Sequence, residues 1–467
     1  MAAAPVGFSW VNYTTTSVVK KDEEDTSIIK SHAMRVVHRQ RNDRTHRDER
    51  IPEKQSIRRI RRKTLQVDLL PRRDNLFVYQ PKTDWESLAI SQFMEDFVYP
   101  VQSSPENAFQ YFSFLPGLYS RYSARSCLTE AVSAVALARL ANQIRAVDLS
   151  FRARKAYANA LSMVNKCMSV PEMRKSDQTL TTLCLLTKYE IVSGDASNND
   201  LWQSHERGQA ALISQRGEEQ LSSEIGTSLI RLVYIRQQLN CIAQCQRSTI
   251  DLTSSSLALA FPRPYLRRLM ELIAEVAKVR YAARNKLHLT FEDPKEACRI
   301  SQDAIKVDRD MTTLANELAE EMKYQSIPND IVFAEGRYQP RSINIFRDLQ
   351  HASFWYVFWY GRLFVLETLL QYACFQLSYQ PEELRSRLQE AVDDICNSVL
   401  FALNEKGCHK AFINVKGGRS VAAHYLIWVL TAASSATGVL DAQRGWISDR
   451  LKIIGFEHGI RQALVFA

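Results

Sequence analysis

The sequence predicts an all-α fold, a large array of helices in layers or in a superhelix, behind a disordered basic N-terminal tail. Apolar residues recur at helical spacing through most of residues 85–467, and no strand-like alternation of useful length appears. Gly and Pro are scarce, with 15 and 14 among 467 residues, which disfavours sandwiches, barrels and nucleotide folds with glycine loops. The chain, 46% hydrophobic, is long enough to bury a large core.

The first part of the chain differs in character from the rest. Residues 1–84 are polar, charged and interrupted by prolines, so we expect them to be mostly disordered. One short amphipathic helix is predicted over 28–41, with Ile29, Ala33 and Val36 on its apolar side. From Trp85 onward the pattern is helical, which predicts one all-α domain over 85–467.

Helical periodicity divides that domain into elements. The clearest stripe lies in 151–168, where Ala153, Ala156, Ala160 and Val164 share one face. Further helices are predicted over 127–144, 179–192, 203–215, 225–246, 265–289, 295–325, 342–377, 381–404, 419–441 and 444–466. The segments 127–144 and 179–192 are apolar almost all round and predict buried helices. Two prolines in 254–269 predict a long connection there.

The net charge of +9 is concentrated in one segment. Between Ile28 and Lys63 there are 13 basic and 4 acidic residues, an excess equal to the charge of the whole chain. The remaining sequence is therefore balanced, and the basic character predicts an arm that meets polyanions or an import receptor. A solvated tail without a specific partner would have the same composition, so this alternative stays open.

Two groups of basic residues carry the functional interpretation of this segment. The compact run predicts a nuclear import signal formed by Arg58, Arg59, Arg61, Arg62 and Lys63. The candidates for weak, salt-sensitive contact with DNA phosphates are Arg35, Arg39, Arg41, Arg44 and Arg47. No aromatic residue lies between 35 and 63, which argues against a platform for base stacking.

The motifs of the common enzyme classes are missing from the sequence. Neither the phosphate loop GxxxxGK[ST] nor the dinucleotide fingerprint GxGxxG is present. The hydrolase motif GxSxG is approached only around Ser420, where the second glycine is missing and a helix cap is the simpler interpretation. We therefore expect no catalytic residue, no bound cofactor and no enzymatic activity.

Cysteines and apolar runs give three further expectations. Cys241 and Cys245 share a helix face and offer half of a metal site, but no CxxC or HxxxH supplies the other half, so core packing is favoured. The nine cysteines have no paired spacing and no secretory signal precedes them, which predicts reduced thiols in a cytosolic or nuclear protein. The longest apolar run, 354–370, contains Arg362 and Glu367, so we expect a buried helix that brings its charges to an edge or to partners, not a membrane span.

One stretch of the sequence resembles a known family. The segment from Leu201 to Leu221 has the sequence LWQSHERGQAALISQRGEEQL. It is similar to the W..H..GA..LI..RG core of the fungus-specific transcription factor domain. The residues that carry the similarity include Trp202, His205, Gly208, Arg216 and Gly217. The opening FSWVN at 8–12, the basic stretch from Ser31, and 426–451 near the C-terminus resemble the same group of proteins more loosely.

The resemblance implies an all-α regulatory domain in a nuclear regulator of transcription. Many members of the family carry a binuclear zinc cluster of six cysteines ahead of this domain, whereas the first cysteine here is Cys127. A zinc-dependent DNA reader therefore cannot be transferred to this sequence. The residues themselves indicate structural roles: core packing for Trp202, close helix approach at Gly208, hydrogen bonding for His205, and a helix end at Arg216 and Gly217.

These observations predict a nuclear transcriptional regulator. Its helical domain would bind a protein partner, a second copy or a small effector of unknown identity, and its basic arm would bind an import receptor and touch DNA. The alternative is a helical scaffold that does not bind DNA. No membrane partner is expected.

Overall fold

The structure is a computed structural model, and it describes residues 83–98, 111–122, 125–194, 199–286, 293–329, 338–375, 378–403 and 419–467. The predicted tail disorder and the helix over 28–41 lie outside these residues. The compact unit that contains the helices extends over Trp85–Ala467. Its secondary structure is almost entirely helical, which confirms the all-α prediction.

The first seven helices form the N-terminal group. They are α1 (Trp85–Phe97), α2 (Leu115–Tyr119), α3 (Cys127–Ile144), α4 (Val147–Ser169), α5 (Pro171–Arg174), α6 (Asp177–Ser193) and α7 (Asn199–Arg216). Helices α3 and α4 form a hairpin, and α3 also packs on α1 and α6. A capping box of Ser126 and Thr129 begins α3, and Arg145 ends it in the left-handed region at φ 56°. The short turn at 145–146 therefore closes one end of the hairpin.

The remaining helices follow a short 3₁₀ turn at Glu218–Ser222. They are α8 (Glu224–Gln244), α9 (Ser254–Ala260), α10 (Pro264–Lys286), α11 (Pro294–Glu317), α12 (Leu349–Gln371), α13 (Pro381–Leu403), α14 (Arg419–Ser435), α15 (Asp441–Glu457) and α16 (Gln462–Val465). Helix α12 lies at the centre of this part, because it packs against α8, α10, α11, α13 and α14.

Several predicted elements differ from the structure. The helix predicted over 444–466 is divided into α15 and α16, with Gly459 at φ 70° between them. The predicted connection over 254–269 is wrong, because Thr253 caps the short helix α9 through the amide of Ser256 and α10 begins at Pro264. The helix predicted over 342–377 begins only at Leu349, since the Asp348 side chain accepts from two backbone amides there. The helix predicted over 295–325 ends at Glu317.

Two short strands lie between α11 and α12, and β2 takes the place of the first residues of the helix predicted over 342–377. Strand β1 (Gln325–Pro328) pairs antiparallel with β2 (Ser342–Ile345), with Ile327 opposite Ile343. Strand β2 packs on α13, and Asn344 Nδ2 donates to the carbonyl of Asp394 over 3.2 Å. Strands of four residues give too few alternating positions for the sequence pattern to detect them.

The last helices return to the first ones. Helix α14 contacts α1, α15 contacts α3, and α16 contacts α6. The buried Asn142 of α3 joins these elements, because its Nδ2 donates to the carbonyls of Val192 and Gly459 over 2.8 and 2.9 Å. An open superhelix has contacts between neighbouring repeats only. Of the two predicted arrangements, the closed, layered one is therefore the one observed.

Candidate functional site

The family-motif helix α7 turns its polar side toward α4, α6 and α8. His205 is buried, and its Nε2 lies 3.1 Å from the hydroxyl of Tyr157, whose ring stacks on Tyr189 at 4.4 Å between centroids. Burial, with a smaller effect of Arg236, lowers the pKa of His205 to about 4. The ring is therefore neutral near pH 7. This geometry fits a hydrogen-bonding role in the core, as the sequence suggested.

The end of α7 is held by an ion pair and a glycine. Arg216, with only 7% of its side chain exposed, bonds to Asp177 in the first turn of α6. Gly217 ends the helix with φ 69° and ψ −167°, a positive φ that favours glycine, although it lies outside the left-handed helical region suggested for it. A Cβ at Gly208 would lie 4.0 Å from Leu183 Cδ1, an ordinary contact, so the helix approach there does not require glycine. The Trp202 side chain lies outside the described residues.

Helices α6, α7 and α8 bring a set of buried charges together. Glu206 Oε1 lies 3.1 Å from Arg236 Nε, and Glu206 Oε2 accepts from Asn240 Nδ2 over 2.8 Å. Burial raises the pKa of the Glu206 carboxyl to about 7, although Arg236 and Asn240 act in the opposite direction. At neutral pH this carboxyl is therefore close to half-protonated.

Lys188 of α6 is a buried cation. Its side chain is 2% exposed, and its Nζ has no hydrogen-bond partner among the described residues. The ammonium lies 4.6 Å from the centroid of Tyr111 and 5.2 Å from that of Phe97, as in cation–π contacts. Burial, followed by repulsion from Arg236, lowers the pKa of Lys188 well below its usual value.

A small cavity lies against these groups. It is bordered by Tyr111, Glu206, Arg236, Asn240 and His424, together with apolar residues of α8 and α14. His424 is buried, and its Nδ1 has no partner among the described residues. The cavity has a volume of about 40 Å³, measured as the space open to the centres of water molecules. That volume suits about three ordered waters and is well below the roughly 150 Å³ of a cavity that binds benzene. In this conformation the cavity does not admit an organic effector.

A much larger groove of about 830 Å³ opens between α10, α12, α13 and α14. Arg280 lies on one wall, with its guanidinium carbon 3.9 Å from the centroid of Phe364. Glu367 lies on another wall and accepts from the amide and hydroxyl of Thr437 over 2.6 and 2.9 Å. Arg280 is partly buried, and Arg385 adds an exposed cation. The volume is in the range of small-molecule sites.

The turn of the α3–α4 hairpin exposes apolar side chains. Ile144, Val147 and Phe151 are 48%, 76% and 60% exposed. Phe456, at the end of α15, is 47% exposed and lies beside this turn, because the Arg145 guanidinium carbon is 5.5 Å from the centroid of its ring. We call these four apolar residues the hairpin-turn patch. A cluster of this kind is typical of a contact surface for another protein.

The remaining predicted sites can also be located. Cys241 is buried in α8 and Cys245 is partly buried at its end, and no group of metal-ligating side chains forms among the described residues. Ser420 is buried in the first turn of α14. No helix in the described ranges has the length and apolarity needed to cross a bilayer. The basic candidates, Arg35 to Arg47 and Arg58 to Lys63, lie outside the described residues.

Residues 92–465 match the family described as the fungal specific transcription factor domain. The chain belongs to this family. The matched range includes the second half of α1, from residue 92, and all of α2 to α16, and it includes the Trp202 to Gly217 motif. The family resemblance predicted from that motif is therefore confirmed. The basic segment lies outside the matched range. No match was found among curated proteins or among solved structures.

The buried charges beside the domain's motif were not predicted from the sequence. Lys188 lies within 179–192, a segment that was interpreted only as an apolar buried helix. A lysine in the middle of such a segment is itself a signal, because a helix buried on all sides leaves its ammonium no route to water. Glu206 and Arg236 gave no comparable signal, since α7 and α8 are mixed in composition.

Proposed function

We propose that this protein is a nuclear regulator of transcription. The observation that carries the proposal is the match of residues 92–465 to the fungal specific transcription factor domain. Membership in this family indicates a regulatory role, and the same residues offer no catalytic motif. Regulation of this kind requires nuclear entry and access to chromatin.

In this proposal the basic segment provides nuclear entry and a contact with DNA. The compact run Arg58 to Lys63 binds an import receptor, and the arginines from Arg35 to Arg47 neutralise DNA phosphates. Such contacts position a protein on DNA without reading its sequence. Sequence specificity would then come from a partner.

The helical domain receives the partner or effector. The hairpin-turn patch supports binding of another protein, because four exposed apolar side chains lie together there. The groove of about 830 Å³ supports binding of a small effector, whereas the cavity at His424 is too small for one.

The decisive experiment is genome-wide chromatin occupancy of the tagged protein in its native host, with and without residues 1–84. A heterologous import signal on both forms keeps them nuclear, so that loss of import is not mistaken for loss of DNA binding. Peaks that vanish without the segment would show that it makes the DNA contact. Peaks that persist would show recruitment through the helical domain.

Import and DNA contact are separated by two sets of substitutions. Changing Arg58, Arg59, Arg61, Arg62 and Lys63 to Gln is expected to leave the protein in the cytosol, whereas changing the four arginines to Lys preserves the charge and the nuclear location. Changing Arg35, Arg39, Arg41, Arg44 and Arg47 to Gln is expected to weaken DNA binding and to flatten its salt dependence. DNA binding that does not weaken with salt would contradict the phosphate contacts.

A helical scaffold that does not bind DNA is the second candidate. It is supported by the hairpin-turn patch, because four exposed apolar side chains suit a contact with another protein and require no DNA. Absence of peaks for both nuclear forms would support this candidate and refute direct regulation.

A further inference from the structure

Two cysteine side chains meet at the open end of the α3–α4 hairpin. Cys127 is the first residue of α3 and Cys167 lies in the last turn of α4, and their Sγ atoms are 4.0 Å apart. Both side chains are buried, with 2% and 6% exposed. We infer that Cys127 and Cys167 form a redox pair that closes to a disulfide when a peroxide oxidises it. This inference does not depend on the proposed function.

The geometry needs only a small movement. A disulfide places the sulfurs about 2.05 Å apart, so the two Sγ atoms must approach by about 2 Å. Rotation about the Cα–Cβ bonds provides movement of this size, and each residue lies at a helix end, where the backbone adjusts more readily than in the middle. None of the other pairs of cysteines within the described part of the chain shows a sulfur–sulfur contact of this kind.

The contact also makes the pair reactive. The hydrogen bond from Cys127 lowers the pKa of Cys167 to about 7, and the same bond, with burial, raises the pKa of Cys127. The first turn of α3 acts in the opposite sense and favours a thiolate at Cys127. We assign the thiolate to Cys167, because the neighbouring sulfur and burial raise the pKa of Cys127, whereas the same contact lowers the pKa of Cys167. By contrast, burial raises the pKa of the isolated Cys184 to about 11.

The chemistry takes two steps. The Cys167 thiolate attacks one oxygen of hydrogen peroxide, the O–O bond breaks, and the products are a sulfenic acid at Cys167 and hydroxide. The Cys127 sulfur then attacks the Cys167 sulfur, the S–O bond breaks, and the hydroxyl leaves as water with the Cys127 proton. In total, two thiols and one peroxide give one disulfide and two waters.

The disulfide would give the α3–α4 hairpin a second covalent link. The chain already joins α3 and α4 at the 145–146 turn, and the disulfide would join them again at the opposite end. Thr182 of α6, whose Oγ1 lies 3.5 Å from Cys127 Sγ, places a third helix at this point. Oxidation would therefore stiffen the hairpin that presents the hairpin-turn patch, and a thiol reductant would release it.

The test uses the full chain. The reduced protein is treated with hydrogen peroxide near pH 7, the remaining thiols are alkylated, and peptides are mapped by mass spectrometry without reduction. The expected result is a Cys127–Cys167 cross-link that disappears with dithiothreitol and forms about tenfold or more faster than Cys184 oxidises. A protein whose two thiols both survive, or whose first disulfide joins other cysteines, would overturn the inference.

Two variants give an independent measurement. In Cys127→Ala, Cys167 is expected to stop at the sulfenic or sulfinic acid, because no resolving thiol remains. The matched control Cys184→Ala removes a buried thiol without a second sulfur and is expected to keep the cross-link. Oxidation is expected to raise the Tm of the wild type by roughly 5 °C but not that of Cys127→Ala. An equal rise in both proteins would count against the disulfide.

Discussion

Helices α6 and α12 are both buried almost all round, yet they solve the burial of polar groups differently. Helix α6 buries every residue from Thr179 to Val192, including Lys188 and Glu190. Helix α12 is filled with aromatic side chains, and its two charges, Arg362 and Glu367, are only partly buried. Helix α6 thus buries charged residues of its own, whereas the two charged residues of α12 lie where the helix is partly exposed.

The difference shows what each helix contributes. The position of Glu367 at the edge of α12 lets it accept two hydrogen bonds from Thr437 at the groove, so its charge is satisfied. The Lys188 ammonium contacts two aromatic rings and has no hydrogen-bond partner within the described part of the chain. An unpaired buried charge costs stability, whereas aromatic packing adds it. We therefore expect α12 to dominate the stability of the domain and α6 to dominate its pH dependence.

The largest expected change in the free energy of unfolding comes from a substitution in α12. Trp359 is 2% exposed and packs against the rings of Tyr324, Phe346 and Tyr356. Trp359→Ala is expected to lower the free energy of unfolding by about 3–5 kcal/mol, because it leaves a large cavity. Urea denaturation measures this loss, and Trp359→Phe, which keeps a ring, should lose clearly less. A loss below about 1 kcal/mol for the alanine variant would mean that the apolar core is not centred on α12.

The next largest effect is the pH dependence of the free energy of unfolding that Glu206 causes. Burial raises the pKa of Glu206 from 4.5 to about 7 in the folded protein. Between these two pH values the folded state holds a proton that the unfolded state has lost. The contribution of the Glu206 carboxyl to the free energy of unfolding is therefore complete below pH 4.5 and is lost as the pH rises through 7. The change amounts to about 3 kcal/mol.

Denaturation of wild type and Glu206→Gln across pH 4 to 8 isolates this contribution, because the amide does not titrate. The exposed Glu219→Gln serves as a control for the change in net charge. Parallel stability curves for wild type and Glu206→Gln would contradict a raised carboxyl pKa.

The sequence predicted α12 better than it predicted the surroundings of α6. The run 354–370 indicated a buried helix with charges at an edge, and the structure has this arrangement. Helix α3 was predicted over 127–144, the same range as observed, because its apolar pattern and its cap agree. The cavity beside α6 was not predicted, because Tyr111, Glu206, Arg236 and His424 come from four separate segments. Periodicity describes each helix alone and carries no information about which helices meet.

Lys188 is expected to have a smaller effect on stability than Glu206, and its pH dependence has the opposite sign. Burial lowers its folded pKa well below 10.5, so between the folded pKa and 10.5 the unfolded state binds more protons and the free energy of unfolding rises with pH. Lys188→Met is expected to stabilise the domain by roughly 1–2 kcal/mol near pH 7 and to remove this slope. The exposed Lys155→Met controls for the lost charge. Destabilisation by Lys188→Met would show that the contacts with Phe97 and Tyr111 outweigh the cost of burial.

The smallest effect on folding is expected outside both cores, at Phe151. Its ring is 60% exposed in the hairpin-turn patch, so Phe151→Ser should change the free energy of unfolding of an isolated chain by about 0.5 kcal/mol or less. The measurement is made at several protein concentrations, with the exposed Lys155→Met as the control. If the patch binds a second copy, the wild-type Tm rises with concentration, because association stabilises only the folded form, and Phe151→Ser abolishes that rise. A Tm that does not depend on concentration in either protein leaves a different protein as the partner for the patch. A loss in the free energy of unfolding above about 1 kcal/mol at the lowest concentration would instead show that Phe151 packs in a core. That result would contradict its assignment to an exposed patch.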